Sequence, residues 1–321
     1  MSTADISAAG TSTAGVSTPA AEASAAGASA AGTEVLGQAA ASARTAGRSG
    51  GVAAFARLLG SELGLTFRRP RNLVMLALLA LVPVLIGVVV RTFGSDGDAG
   101  GIVAATAGNG LMLTFVSLYV LVPLLMPVAV AVVGGDAIAG EANAGTLRYL
   151  LTAPAGRTRL LAVKYLNAVV FSLALTVTVA ATALITGLAL FPVGDVTLLS
   201  GTTVTMAEGL LRTLLIVGYV TAGMAALAAV AMALSTLTEI PIGAVAGTVV
   251  LIVVTQVLRA IPQLDWLAPY LLPTRWTGFD AVLRDPVATS DLGQGLLAFC
   301  AYTVLFGSLA WARFTSKDIT S

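Results

Sequence analysis

GGDAIAGEANAGTLRYLLTAPAGRTRLLAVK, residues Gly134 to Lys164, decides how the rest of the chain is read, because it is a compact polar island between two long hydrophobic runs. Upstream lies LMLTFVSLYVLVPLLMPVAVAVV, Leu111 to Val133, and downstream LLAVKYLNAVVFSLALTVTVAATALITGLALF, Leu160 to Phe191. Each exceeds the about 20 apolar residues that a helix needs to cross hydrocarbon. Arg148, Arg157, Arg159 and Lys164 crowd into the island. An excess of Lys and Arg in a short loop marks the cytoplasmic face of a membrane, so the island is expected there.

Composition points the same way. Apolar residues make up 57% of the 321-residue chain and charged residues 10%, against roughly 25% charged in soluble domains. The net charge of +1 comes without a basic stripe interleaved with aromatics, which argues against a nucleic-acid partner. Cys300 is the one cysteine. It has no intrachain partner for a disulfide and reads as a small hydrophobe rather than a redox or metal group.

Two parts follow from the pattern. Residues 1–51 are almost entirely Ala, Ser, Gly and Thr, with Asp5, Glu22, Glu34, Arg44 and Arg48 as the charges. Such a segment buries too little apolar surface to order itself, so it is expected to be a disordered cytoplasmic tail, with a docking role as the other reading. It lacks the basic and apolar regions of a secretory signal. Residues 52–321 form the membrane domain.

That domain opens on VAAFARLLGSELGLTFRRPR. Arg57, Ser61, Gly64 and Arg68 recur at helical spacing, and Phe55, Leu59, Leu63 and Phe67 line another face interrupted by Glu62. The spacing predicts an amphipathic helix lying along the inner membrane surface, with Arg68, Arg69 and Arg71 near anionic lipid headgroups. Six spans are then expected: Leu73 to Val90, Leu111 to Val133, Lys164 to Leu190, Leu210 to Leu234, Ile242 to Leu258, and Leu292 to Trp311. Starting inside puts most Lys and Arg in the cytoplasm, with both termini there. Of the outer connections, Thr92 to Gly110 is Gly-rich and Pro192 to Gly209 a short polar link. Ala260 to Asp291 carries Trp266, Tyr270, Trp276 and Phe279, which suits an aromatic belt or a re-entrant element.

Several chemistries are excluded. The lysines are Lys164, followed by Tyr165, and Lys317, followed by Asp318, so there is no P-loop. Without histidine there is no HExxH metal site and no Ser/His dyad. The chain is therefore not expected to be an enzyme or to hold a metal or cofactor itself. The span centres carry no ionisable group, which weighs against an ion-driven carrier. Arg91, Arg212 and Arg259 fall at outer span ends and are expected to snorkel. Asn167, Tyr219, Gln256 and Thr176, Thr178, Thr182 and Thr186 supply polar atoms inside spans, for helix-to-helix hydrogen bonds or for contact with a transported substrate. Gly243 and Gly247 form a GxxxG, which allows close backbone approach. Pro83, Pro123 and Pro127 favour kinks in spans one and two.

The segment Ile138 to Lys164 resembles the one after the second span in the membrane (permease) subunits of type-2 ATP-binding cassette exporters. Glu141, Gly145-Thr146-Leu147, Leu150-Leu151, Pro154, Arg157 and Lys164 match it in order. Glu62 to Arg71 with Pro83, Ser235 to Ile240, and the tail ARFTSKDITS add similarity, which covers roughly Val52 to the end. The resemblance implies an all-α membrane protein with six transmembrane helices, an N-terminal interfacial amphipathic helix, and a cytoplasmic coupling helix between spans two and three. It implies a plasma-membrane exporter that pairs with a second permease copy or homologue and with cytoplasmic ATP-binding subunits, which would hold the ATP and Mg. Glu141, Asn143, Gly145, Thr146, Arg148, Tyr149 and Arg157 would then contact the ATPase. Arg57, Glu62, Arg68 and Arg69 would belong to the interfacial helix beside it, Gly134-Gly135 would break span two, and Thr146 to Leu151 would supply the coupling helix. The chain departs from the family at Ala142 to Ala144, where members more often carry charge. The readings from other classes are a non-transporting membrane scaffold or assembly protein, and a secondary carrier.

Overall fold

The computed structural model describes residues 52–93, 109–145, 156–198 and 200–316. The expected tail 1–51, most of the Thr92 to Gly110 connection, and the expected coupling helix at Thr146 to Leu151, with Thr146, Arg148 and Tyr149, lie outside them. Among the described residues the protein is all-α apart from one short strand pair. Its helices are α1 (residues 52–68), α2 (Pro70–Phe93), α3 (Met112–Leu124), α4 (Met126–Asn143), α5 (Arg157–Leu190), α6 (Met206–Leu237), α7 (Pro241–Arg259), α8 (Leu272–Trp276) and α9 (Thr289–Ser316). The described residues from Arg57 to Ser316 form one compact body.

Five helices, α2, α5, α6, α7 and α9, are long and apolar enough to cross a membrane. The expected second span is a bent pair instead: α3 and α4 meet at Leu125 with an angle of 48°. The bend has a local cause. Pro123 and Pro127 each lack the N–H of the helix ladder, and each ring crowds the carbonyl four residues back. Pro83, by contrast, sits buried inside α2 without ending it.

Gly134-Gly135 does not break span two. Helix α4 runs through both glycines to Asn143, and their missing side chains are used for packing. A Cβ on Gly134 would stand 2.8 Å from the Cβ of Ala231 on α6, and one on Gly135 would stand 3.0 Å from the backbone nitrogen of Val245 on α7. Ser235 of α6, fully buried, locks this crossing. Its hydroxyl accepts from the backbone N–H groups of Ile138 (3.1 Å) and Ala139 (2.9 Å) and donates to the Gly135 carbonyl (2.6 Å).

Helix α5 begins at Arg157, a turn and more before the expected start at Lys164, after Gly156 takes a left-handed backbone (φ 72°). Its 34 residues span about 51 Å at 1.5 Å per residue, so it outreaches a hydrocarbon core of about 30 Å. The link after α5 contains a two-stranded antiparallel pair, β1 (Val196–Thr197) and β2 (Thr203–Val204), in the register Val196 to Val204. Gly110 and Gly187 are in backbone contact there, each filling the space a side chain would need on the other.

The core lies where α6 packs among α4, α5 and α9. Small residues along α6, including Ala226, Ala228, Ala229 and Ala231, are buried and let its neighbours close in. Helix α7 buries only Ala244, Thr248 and Ile252, a single stripe four residues apart. The GxxxG lies off that stripe: Gly243 is exposed, and a Cβ on Gly247 would meet only Leu234, at 3.9 Å. Among the described residues the motif makes no close helix approach.

The 260–291 segment is neither a simple belt nor a plain loop. Trp276 and Phe279 are each 1% exposed and belong to the core, whereas Trp266 and Tyr270 are about 70% exposed, at 69% and 71%. Arg212 explains how the segment is held. The expected snorkelling is wrong: Arg212 is buried, donating to Glu208 (2.6 Å) and to the carbonyls of Val282 (2.8 Å) and Arg284 (2.9 Å). A guanidinium with five donors in a fixed fork satisfies all three at once.

Candidate functional site

Six charged residues, Glu62, Arg69, Arg71, Asp136, Glu141 and Lys164, gather at one end of the bundle. There α1 ends, α2 and α5 begin, and α4 finishes, so a residue from each reaches one cavity of about 350 Å³. Leu59, Leu63 and Phe67 turn the apolar face of α1 inward, and Phe67 meets the ring of Phe171 on α5 at 6.1 Å. Glu62 and Thr66 lie on that same face. Glu62 is therefore not an error in an apolar stripe; it points into the cavity.

Its partner is Lys164 on α5, whose side chain is only 5% exposed. Lys164 donates to Glu62 at 3.4 Å and forms a short ion pair with Glu141 of α4. One buried ammonium thus joins three helices. Burying a lysine is expensive unless it is paired, and the sequence meets the need with two carboxylates from opposite sides.

A second group stands at the mouth. Arg69 and Arg71 both donate to Oδ2 of Asp136 on α4, at 2.6 and 2.9 Å. These arginine side chains are 53% and 49% exposed, so each pair contributes about 0–1 kcal/mol. The Lys164 cluster is the costlier of the two to break, because removing one member strands a buried charge, and the arginines mainly set the electrostatics of the opening.

Between the two groups Thr66 acts as a hub. Its carbonyl, near the end of α1 where helix carbonyls lack partners, accepts from Asn72 Nδ2 at 2.8 Å, and its hydroxyl accepts from Asn167 Nδ2 at 2.9 Å. Asn72 and Asn167 are buried.

Of the residues singled out from sequence, the fold brings together Glu62, Arg69, Glu141 and Asn167. Arg57 and Arg68 are exposed on the other side of α1, and Asn143 and Gly145 are exposed at the end of α4, where Gly145 has φ 69°. Arg157 is turned away from the cavity, donating to the Thr315 carbonyl of α9 at 2.8 Å. Tyr219 lies toward the opposite end, its hydroxyl donating to the Arg275 carbonyl at 2.8 Å, and Gln256 is half-buried on α7. Thr176, Thr178 and Thr182 donate back to their own helix four residues earlier, so their hydroxyls are spent locally. Asp136, Thr66 and Asn72 are missed by sequence reasoning. The only local signal for Asp136 is a carboxylate five positions before Glu141 in an otherwise uncharged helix.

No group of three or more His, Cys, Asp or Glu fit for a metal ion occurs among the described residues. The cavity's described lining brings three cations, three carboxylates, two amides and the Thr66 side chain together.

The helices and this polar end define a helical membrane protein. Over residues 80–320 the chain matches the family described as "Protein of unknown function (DUF2705)", and it belongs to that family. No curated protein matches it.

Proposed function

We propose that this chain is the membrane-spanning subunit of an ATP-driven exporter of the ATP-binding cassette type, working as a dimer with a second permease and coupled to separate cytoplasmic ATP-binding subunits. The observation that carries the reading is the Glu62–Lys164–Glu141 cluster. It ties α1 to both flanks of the 146–155 segment, the end of α4 and the start of α5, so a force applied to that segment would reach the bundle through ion pairs rather than through loose loops.

In this reading the 146–155 segment is the coupling element in the cytoplasm, α1 lies along the inner membrane surface, and both termini are cytoplasmic. The bent α3–α4 pair counts as the second of six spans. ATP and Mg sit in the partner, whose hydrolysis cycle drives alternating access. Glu141 then acts on the permease side of the coupling element, by anchoring it to Lys164, while Asn143, Thr146, Arg148 and Tyr149 face the partner.

Charge reversal at Arg148 tests this contact. Arg148→Glu is expected to lower the ATPase recovered with the chain from mildly extracted membranes while leaving the chain's abundance unchanged. Equal recovery would remove the 146–155 segment from the interface.

A further inference from the structure

The cavity at the junction of α1, α2, α4 and α5 is more polar than linkage between helices requires, and its polarity is ordered. At the mouth, Arg69 and Arg71 share one oxygen of Asp136, so each half-exposed guanidinium uses one of its five N–H donors on that carboxylate. Deeper lie Glu62 and Lys164, with side chains 16% and 5% exposed. The wall also holds two buried acceptors, Asn72 Oδ1 and Asn167 Oδ1, that have no donor among the described residues. The amide of Asn72 is oriented by its bond to the Thr66 carbonyl, so the oxygen is the atom left over. A buried acceptor without a donor is costly, and because Asn72 and Asn167 both line the cavity, a donor held there is the group that would satisfy them.

We propose that this cavity binds a phosphate ester carrying a primary ammonium, with the phosphate on Arg69 and Arg71 and the ammonium directed inward to Glu62, Asn72 and Asn167. Guanidinium forks match phosphate oxygens in pairs. A primary ammonium offers three N–H donors and no acceptor, which suits a wall of acceptor oxygens. A trimethylated ammonium has no N–H and fails there. The described lining residues carry three cations, Arg69, Arg71 and Lys164, and three carboxylates, Glu62, Asp136 and Glu141, so a zwitterion enters without a net charge penalty.

The same chemistry occurs in soluble phosphoethanolamine and in the headgroup of phosphatidylethanolamine. The lip of the cavity favours the lipid. Leu65 lines it and is 58% exposed, an apolar contact for an acyl chain, and Leu73 and Val74, which follow the lining residues Arg71 and Asn72 on α2, are 49% and 56% exposed. The site does not depend on an ATPase and stands apart from the exporter reading.

The test uses the full-length chain in phosphatidylcholine nanodiscs doped with phosphatidylethanolamine or phosphatidylglycerol, with bound lipid read by native mass spectrometry. Phosphatidylethanolamine is expected to be retained at least about tenfold over phosphatidylcholine, and the preference is expected to vanish in the Arg69→Gln, Arg71→Gln double variant at unchanged melting temperature. If that variant does not fold, competition on the wild-type chain decides. Failure of soluble phosphoethanolamine to displace the lipid supports the lipid source. Displacement at matching concentration keeps the chemistry and overturns the lipid source. Phosphatidylglycerol held as tightly as phosphatidylethanolamine would overturn the ammonium subsite, and phosphatidylcholine held equally would overturn the proposal.

Discussion

Lys164 and Glu141 stand 23 positions apart in sequence and close an ion pair across the base of the 146–155 segment. With Glu62 as the second carboxylate, the pair makes a buried joint between α1, α4 and α5. Removing one member of a buried pair costs about 3–5 kcal/mol, because the other charge is left stranded. Lys164→Met is therefore expected to lower the melting temperature of the detergent-solubilised protein sharply. The triple change Lys164→Met, Glu62→Gln, Glu141→Gln is expected to recover most of the loss. Equal melting of Lys164→Met and the wild type would show that the cluster is not buried in the folded protein.

Arg212 makes a sharper chemical prediction. It bonds Glu208, Val282 and Arg284 together, and hydrogen bonds to charged groups contribute about 1.5–3 kcal/mol each. Arg212→Lys keeps the charge but cannot span the two carbonyls and the carboxylate. Limited proteolysis is expected to cut the 278–288 segment of Arg212→Lys and Arg212→Ala alike, at positions protected in the wild type. Full protection in the lysine variant would assign the role to charge alone.

The glycines separate packing within the chain from packing between chains. Gly187 and Gly110 are in backbone contact, so Gly187→Ala overpacks a rigid site and is expected to cost about 1–3 kcal/mol. Gly247 has room for a side chain among the described residues. Gly247→Leu is expected to leave monomer stability unchanged, so a fall in cross-linked dimer without a fall in melting temperature would place the GxxxG at an interface between copies. Loss of stability in Gly247→Leu would contradict the open space around it.

Much of the architecture was legible because apolar run length is a direct reading of what hydrocarbon demands. The span at Ile242 to Leu258 corresponds to α7, Pro241–Arg259, within a residue at each end. The bend at Leu125 was signalled by Pro123 and Pro127, but Gly134-Gly135 misled: glycine weakens a helix in isolation, whereas here close contact with Ala231 and Val245 more than compensates. The charged cavity was half legible. Glu62 stood out as a carboxylate on an apolar face, yet its meaning depends on Lys164, about a hundred positions away, and no periodicity reports so distant a pairing. Arg212 shows the same limit: nothing local to α6 announces the carbonyls of Val282 and Arg284.

Orientation is open to a labelling test. In a Cys300→Ala background, a cysteine at Ala144, exposed beside the 146–155 segment, is expected to react with an impermeant thiol reagent only after permeabilisation. One at Thr202, exposed in the β1–β2 turn at the other end, is expected to react in intact cells. The inverse pattern would overturn the assignment of the charged end to the cytoplasm.

The exporter reading stands or falls on its partner. Extraction of the full-length chain from its native membrane in a mild detergent, followed by affinity purification and an ATPase assay, is the most direct measurement. The account predicts a nucleotide-binding polypeptide in stoichiometric amount, with ATP hydrolysis that depends on Mg. A homogeneous preparation of this chain, free of any ATP-binding subunit and of ATPase activity under extraction mild enough to preserve its own dimer, would contradict the account.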